Sequence, residues 1–333
     1  MTIYDIAKQA GVSASTVSRV INNKPGINAQ TRKRVQKLLN ENHYTPNEAA
    51  RGLVMQSSKI IGILIEDLRI EHHTESAYVI EQEMTALGYT CITLSTGRRD
   101  EKKADYIRIL EQRRVDGAIL MGSMFETEAV KKSIKEHLPD VPVAIVNGYL
   151  DLPNVYGILI DEERGVKDCA ELMFKKGKKH LVMAVDSDTP SNRNYLRAML
   201  EQGIAKEDIP FYTAVNKEFT NPRDVRAAGA KLTEQILTER PETDGIIYTT
   251  DLLAVGGLEA AKKMGKRIPQ DLAIMGIDNT MYGEIVTPKL SSLDNKLVEV
   301  SQNASRAILD ALDKKEVSHK VMLLTDIKER ETT

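Results

Sequence analysis

The sequence contains no tryptophan and only four phenylalanines, so a ligand site built on stacked aromatic rings has little to draw on. Its two cysteines, Cys91 in a strand-like run and Cys169 in a helix-like run, are too few for a disulfide framework. They read as buried thiols in a reducing compartment. No apolar stretch approaches the roughly 20 residues needed to cross a bilayer, and the N-terminus lacks the apolar core of a signal peptide. A soluble, cytoplasmic chain with no membrane role is expected. No Gly-x-Gly-x-x-Gly follows a strand, no phosphate-binding loop exists, and no nucleophile, base and orienting group come together. An enzyme is therefore not expected, and no cofactor is implied. Neither is a metal: the side chains of neighbouring His72 and His73 diverge, and no cysteine or further histidine lies near them in sequence.

What is present is unevenly distributed. Residues 1–56 carry eight Lys or Arg against three acids, a local charge of +5 in a chain of net charge −2, which leaves −7 for the remainder. A basic small domain on an acidic body suits phosphate contact at one end and solubility at the other. At 333 residues the chain is too long for one ordinary core, and two or three domains are expected.

The opening residues, TIYDIAKQAGVSASTVSRVINN, carry the densest local signals. Thr2 and Asp5 have the spacing of a capping box, in which each side chain satisfies an orphan backbone N–H of a first helical turn. Ile3, Ile6, Ala7 and Ala10 then recur on one face, Gly11 stops the helix, and Ser13 caps a second one. In that second helix Val17, Val20 and Ile21 form the apolar stripe, leaving Ala14, Ser15, Ser18, Arg19 and Asn22 outside. Two short helices joined by a glycine turn, the second with a small polar face and one Arg, describe a helix-turn-helix able to enter a major groove. Asn28 caps a third helix to about Asn42, with Thr31, Val35, Leu38 and Leu39 inward and Arg32, Lys33, Arg34 and Lys37 placed to meet DNA backbone. Pro46 ends the unit. Residues 47–54 make one or two turns of marginal helix, either a plain linker or a segment that folds on DNA and drives Leu53 between base pairs.

From Ile60 the rhythm becomes alternating strand and helix. IIGILI, TCITL, GAILM, VPVAIV and YGILI are short apolar runs of the kind buried on both faces of a parallel sheet, separated by helical periodicity that includes a helix from about Thr74 to Leu87. A second series follows Asp161. The expected fold is α/β: an all-α helix-turn-helix head plus two doubly wound parallel-sheet lobes sharing a cleft.

At this point the chain resembles the lactose-repressor (LacI/GalR) family of bacterial transcription regulators. The likeness rests on the opening segment, INAQTRKRVQKLLNENHYTPNEAARGL, VDGAILMGS, IDEERGVKDCAELMFKKGKKHL and TTDLLAVGGLEAAKKMGKRIPQDLAIMGIDNT. It implies a head over 1–46, a hinge helix and linker over 47–59, and a periplasmic-binding-protein-like core over 60–333. The lobes of that core are expected at about 60–158 with 290–317, and about 159–288 with 319–330. It further implies a homodimer or larger assembly on a palindromic double-stranded operator, with a sugar or sugar derivative in the cleft. DNA contacts are implied at Thr2, Tyr4, Ser13, Ala14, Ser15, Thr16, Ser18, Arg19, Asn22, Asn28, Tyr44, Asn47, Ala50, Arg51 and Leu53, the last being the minor-groove wedge.

Arg19 is suited to a bidentate guanine contact, whereas Ala14 and Ser15 offer only a methyl group or one hydroxyl. In the core, Asp251 falls on the family's effector-binding aspartate, at a strand end where α/β folds place ligands, and equally at a helix N-cap. Asp278 and Asn295 are further cleft candidates that also suit turns. His72 and His73 stand where the family has aromatics, and the family's effector arginine falls near Ser191, with Arg193 two residues on. Arg69, Arg193 and the histidines would suit a phosphorylated or acidic ligand. The competing reading is a solute-binding receptor with no DNA role; the basic head opposes it.

Overall fold

The computed structural model describes residues 1–44, 57–201, 211–213 and 222–333. Pro46 and the expected hinge helix, with Asn47, Ala50, Arg51 and Leu53, lie outside the described residues. The chain separates into residues 1–58 and 59–333.

In the first unit α1 (Ile3–Ala10), α2 (Ala14–Ile21) and α3 (Ala29–Glu41) enclose a core centred on Ile6, Val17, Val20, Val35 and Leu39. Each helix has its own start signal. The Thr2–Asp5 capping box forms in both directions, Thr2 N donating to Asp5 Oδ2 at 2.7 Å and Asp5 N donating to Thr2 Oγ1 at 3.3 Å. Ser13 accepts from Thr16 N, and Asn28 accepts from Gln30 N and Thr31 N. Between α1 and α2 the chain reverses through Gly11 at φ +64°, a left-handed conformation that a Cβ would strain.

The second unit holds two six-stranded sheets. The first contains β1 (Ile60–Ile65), β2 (Thr90–Ser95), β3 (Gly117–Met121), β4 (Val143–Val146) and β5 (Val155–Ile160). It is covered on one side by α4 (Glu71–Ala86) and on the other by α5 (Asp100–Gln112) and α6 (Glu128–His137). The second contains β6 (Leu181–Val185), β7 (Phe211–Thr213), β8 (Gly245–Tyr248) and β9 (Ala273–Ile277). Its covering helices are α7 (Glu162–Lys175) and α8 (Pro190–Glu201) on one face, and α9 (Pro222–Glu239) and α10 (Asp251–Lys263) on the other. Every pairing among β1 to β9 is parallel. Buried on both faces, β1, β3, β4, β6, β8 and β9 read as unbroken apolar runs, whereas β2 at the sheet edge is half-buried.

Two corrections apply, the first to where the lobes begin and end. A short helix, α11 (Tyr282–Ile285), leads to β10 (Ser291–Asp294), which pairs in parallel with β9 and so belongs to the second sheet, not the first. Only then does α12 (Leu297–Leu312) cross over, packing with α4 against β3, β4 and β5. It delivers β11 (Lys320–Leu323) to β5 at the edge of the first sheet. The chain crosses back, and β12 (Asp326–Lys328) pairs antiparallel with β10. The lobes therefore exchange strands at 290–294 and 320–323 relative to expectation, because the connection 278–290, with only the short α11 in it, is long enough to set β10 parallel beside β9, and α12 leaves for the first sheet only after that. The first lobe also extends through Ile160. The second correction is local: α4 starts at Glu71, not Thr74, behind Ile70, which makes no side-chain cap. His72 and His73 thus sit in its first turn.

Candidate DNA-reading head and effector cleft

On the head, Tyr4, Ser15 and Arg19 are exposed, whereas Ala14, Thr16, Ser18, Asn22 and Tyr44 are half-buried. The α2 face is small and largely occupied with its own turn. Ser13 Oγ lies 2.8 Å from Ser15 Oγ and 2.9 Å from Thr16 Oγ1, and Asn22 Nδ2 donates to Ser18 O at 2.9 Å. Arg19 is the group with reach; its Nη2 donates to Pro25 O at 2.6 Å, which holds the guanidinium along the loop before α3. Of the basic residues expected to face DNA backbone, Arg32 has a different duty: it donates to Asn23 Oδ1 at 2.8 Å and Lys24 O at 2.7 Å. It fixes that loop. Lys33, Arg34 and Lys37 are exposed. Tyr44 packs on the head core, so its ring serves the fold first.

In the second unit the carboxyl ends of the parallel strands converge on a cleft between the sheets. Residues immediately after β1, β4, β6, β9 and β10 supply Glu66, Asn147, Asp186, Asp278 and Asn295, and the first turn of α7 adds Glu162. All six line one cavity of about 170 Å³, comparable to the ~150 Å³ that accommodates a six-membered ring. The lobes touch across it. Ser123 Oγ and Ser191 Oγ are 2.7 Å apart, Asn147 Nδ2 donates to Glu162 Oε1 at 2.7 Å and to Ser191 Oγ at 3.1 Å, and His72 Nδ1 lies 3.4 Å from Asp278 Oδ2.

Burial is the leading perturbation here. It raises the Glu162 carboxyl, although hydrogen bonds from Asn147, Ser191, Asn194 and Tyr195 pull it back. It also raises Asp278, against which His72 and Asn295 act, and holds His73 well below the usual imidazole value, so that ring is neutral. Tyr195 is buried beside Glu162 and stays a phenol.

A second cavity of about 70 Å³ continues from the first beyond His72 and Asp278, both of which border the two spaces. Asp251 lines it. Its Oδ1 accepts from Ser292 Oγ at 2.6 Å, and its Oδ2 accepts from Thr280 N at 2.6 Å and Thr280 Oγ1 at 3.0 Å. Burial raises this carboxyl to about 7. The approach is close: a Cβ added to Gly276 would stand 2.1 Å from Asp251 Oδ1. Asp251 is not the cap of α10; Thr250 is, accepting from Leu253 N.

A family model described as bacterial regulatory proteins, lacI family, matches residues 2–47, and one described as a periplasmic binding protein-like domain matches 170–333. An HTH-type transcriptional regulator of Lachnoclostridium phytofermentans is 31% identical over 336 residues, covering 100% of this chain and 99% of that one. The chain belongs to the LacI family of bacterial regulatory proteins. It shares its fold with the Lac repressor dimer bound to operator and an anti-inducer (TM-score 0.85, 21% identity, 100% and 98% of the two chains covered). The same holds for the regulator CelR in complex with cellobiose (TM-score 0.69, 19% identity, 100% of each chain covered).

Within this LacI-family core the expected effector residues separate into three groups. His72, Ser191, Asp278 and Asn295 line the main cavity, and His73 is buried at its wall. Asp251 lines the smaller space. Arg193 turns to the surface, where Nη1 pairs with Asp188 Oδ1 at 2.6 Å; its expected effector role is not supported, because a first-turn residue of α8 two positions from Ser191 faces another direction. Arg69 is exposed and pairs with half-buried Asp67. Sequence reasoning missed Glu66, Arg98, Asn147, Glu162, Asp186 and Tyr195. The available signal was a polar residue directly after an apolar strand, as in Val146-Asn147 and Val185-Asp186.

Proposed function

We propose that the chain is a repressor that binds a two-fold-symmetric operator as a homodimer or higher oligomer, acting in the bacterial cytoplasm on the nucleoid. A sugar or sugar derivative in the inter-lobe cleft controls it. The observation that carries this reading is the joining, in one chain, of a capped helix-turn-helix head to a cleft whose polar walls come from both lobes. A ligand there touches both lobes at once and so has a different free energy in open and closed arrangements, which is the condition for shifting an equilibrium. The Lac repressor and CelR neighbours, whose structures hold operator or sugar-type ligands, support the assignment. Arg19 reads a base, and Leu53 wedges into the minor groove from the hinge.

Binding of the full chain to a pool of palindromic duplexes, titrated from 50 to 200 mM salt, tests the DNA role. Several phosphate contacts give a log–log slope on the order of −5 or steeper; a flat slope rejects it. Leu53→Ala is expected to weaken specific binding more than non-specific binding.

A further inference from the structure

We propose that the cleft selects a positively charged polyol, a sugar-sized molecule bearing a protonated amine, over neutral sugars, sugar phosphates and sugar acids. This rests on the effector reading above and names the chemistry of its ligand.

The first observation is the imbalance of charge on the cavity wall. Glu66, Glu162, Asp186 and Asp278 face it; Glu66 and Glu162 are buried, and Asp186 and Asp278 are half-buried. The arginine that lines it, Arg98, already donates Nε to Glu66 Oε1 at 2.6 Å. The wall carries an acidic excess in a poorly screened setting, where like charge is costly and opposite charge is rewarded. An anionic ligand would meet that excess directly.

The second observation is independent. Asn295 is 5% exposed, and its Oδ1 has no hydrogen-bond partner among the described residues. Its Nδ2 is committed to Asp278 Oδ1 at 3.1 Å. Turning the amide over would set its carbonyl oxygen against the Asp278 carboxylate, so the orientation is fixed by its neighbour. Asn295 lines the cavity, and its covered acceptor sits beside the Asp278 carboxylate. A buried acceptor without a donor is destabilising, and a ligand that supplies the donor removes that cost. A hydroxyl has one proton to give and satisfies either Asn295 or Asp278. An ammonium has three and a charge, and it serves both with one to spare.

The test is calorimetric titration of the full chain at low salt. The probes are 6-amino-6-deoxyhexoses and 1-amino-1-deoxyhexitols, their N-acetyl derivatives, the parent hexoses and hexitols, and hexose 6-phosphates. At least one amine is expected to bind tenfold or more tighter than its parent and its N-acetyl form. Asp278→Asn should remove most of that margin, read as the ratio of amine to parent affinity within each protein. Should Asp278→Asn fail to fold, Asn295→Ser, which withdraws the waiting acceptor, is expected to shrink the same ratio. The proposal is overturned if no amine binds, if a parent sugar or phosphate equals the best amine, or if a folded variant keeps the full preference. Operator binding of the same preparations separates the two levels: a neutral sugar that shifts operator affinity at concentrations where no amine does refutes the amine and keeps the regulator, whereas loss of all DNA binding refutes the regulator itself.

Discussion

Replacing Asp251 with asparagine gives the sharpest check on the electrostatics of the second lobe. The carboxyl is held at about 7 by burial, against about 3.9 in an unfolded chain. Between those values the folded protein keeps a proton that the unfolded chain has released. Stability from this group is therefore fully present below about pH 4 and is lost as pH rises through 7. Between pH 5 and 8 the loss amounts to roughly 2–3 kcal/mol, at ~1.4 kcal/mol per unit over the part of the window in which only the folded state is protonated.

Asparagine preserves the local geometry. Its Oδ1 takes the bond from Thr280 N, and its Nδ2 faces Ser292 Oγ, which also accepts from Asn279 N. Denaturant titrations of wild type and Asp251→Asn at pH 5 and pH 8 isolate the effect by difference, since carboxyls such as Glu162 and Asp278 titrate in both proteins. The variant is expected to lose roughly 2–3 kcal/mol less than wild type across that range. Equal pH slopes would refute the claim that Asp251 is a buried carboxyl burdened by desolvation, and would leave it an ordinary ionised residue.

Gly276→Ala pushes a methyl group into Asp251 and should cost about 1–3 kcal/mol, read as a lowered melting temperature. Thr2→Ala removes the capping box of α1 and should destabilise the head by about 1 kcal/mol, visible as faster amide exchange in residues 3–10 and weaker operator binding. Arg32→Ala should destabilise the head more than Lys33→Ala, because two hydrogen bonds to the loop before α3 disappear; paired melting curves decide it. Arg193→Ala should change effector affinity less than twofold, since its partner Asp188 lies outside the cleft.

The sequence made the head legible almost residue by residue, because its signals are local: a capping box, a glycine turn, an asparagine cap. The strands of the core were equally plain where burial on both faces produced runs such as IIGILI and AIMGI. The sheet allocation of SSLD and KVML was not legible, since four residues carry no usable period and membership is decided by which edge a distant crossover helix reaches. The early start of α4 was hidden because Ile70 provides no cap. The cleft was partly legible. Asp278 and Asn295 were found, but Glu162 and Asp186 look like ordinary solvated acids until five strand ends are brought to one place.

The exchange of strands between lobes also bears on how the protein comes into being. Residues 2–44 form a core of their own and leave the ribosome before the second unit. Neither sheet is whole until residues 320–328 have been made, and Thr332, fully buried, donates to Ile274 O. At ~5–20 residues per second, some tens of seconds separate a folded head from a finished core. During that interval a nascent chain carries a DNA-binding surface without the machinery that governs it, and a frameshift as late as residue 318 would leave both lobes incomplete while sparing the head.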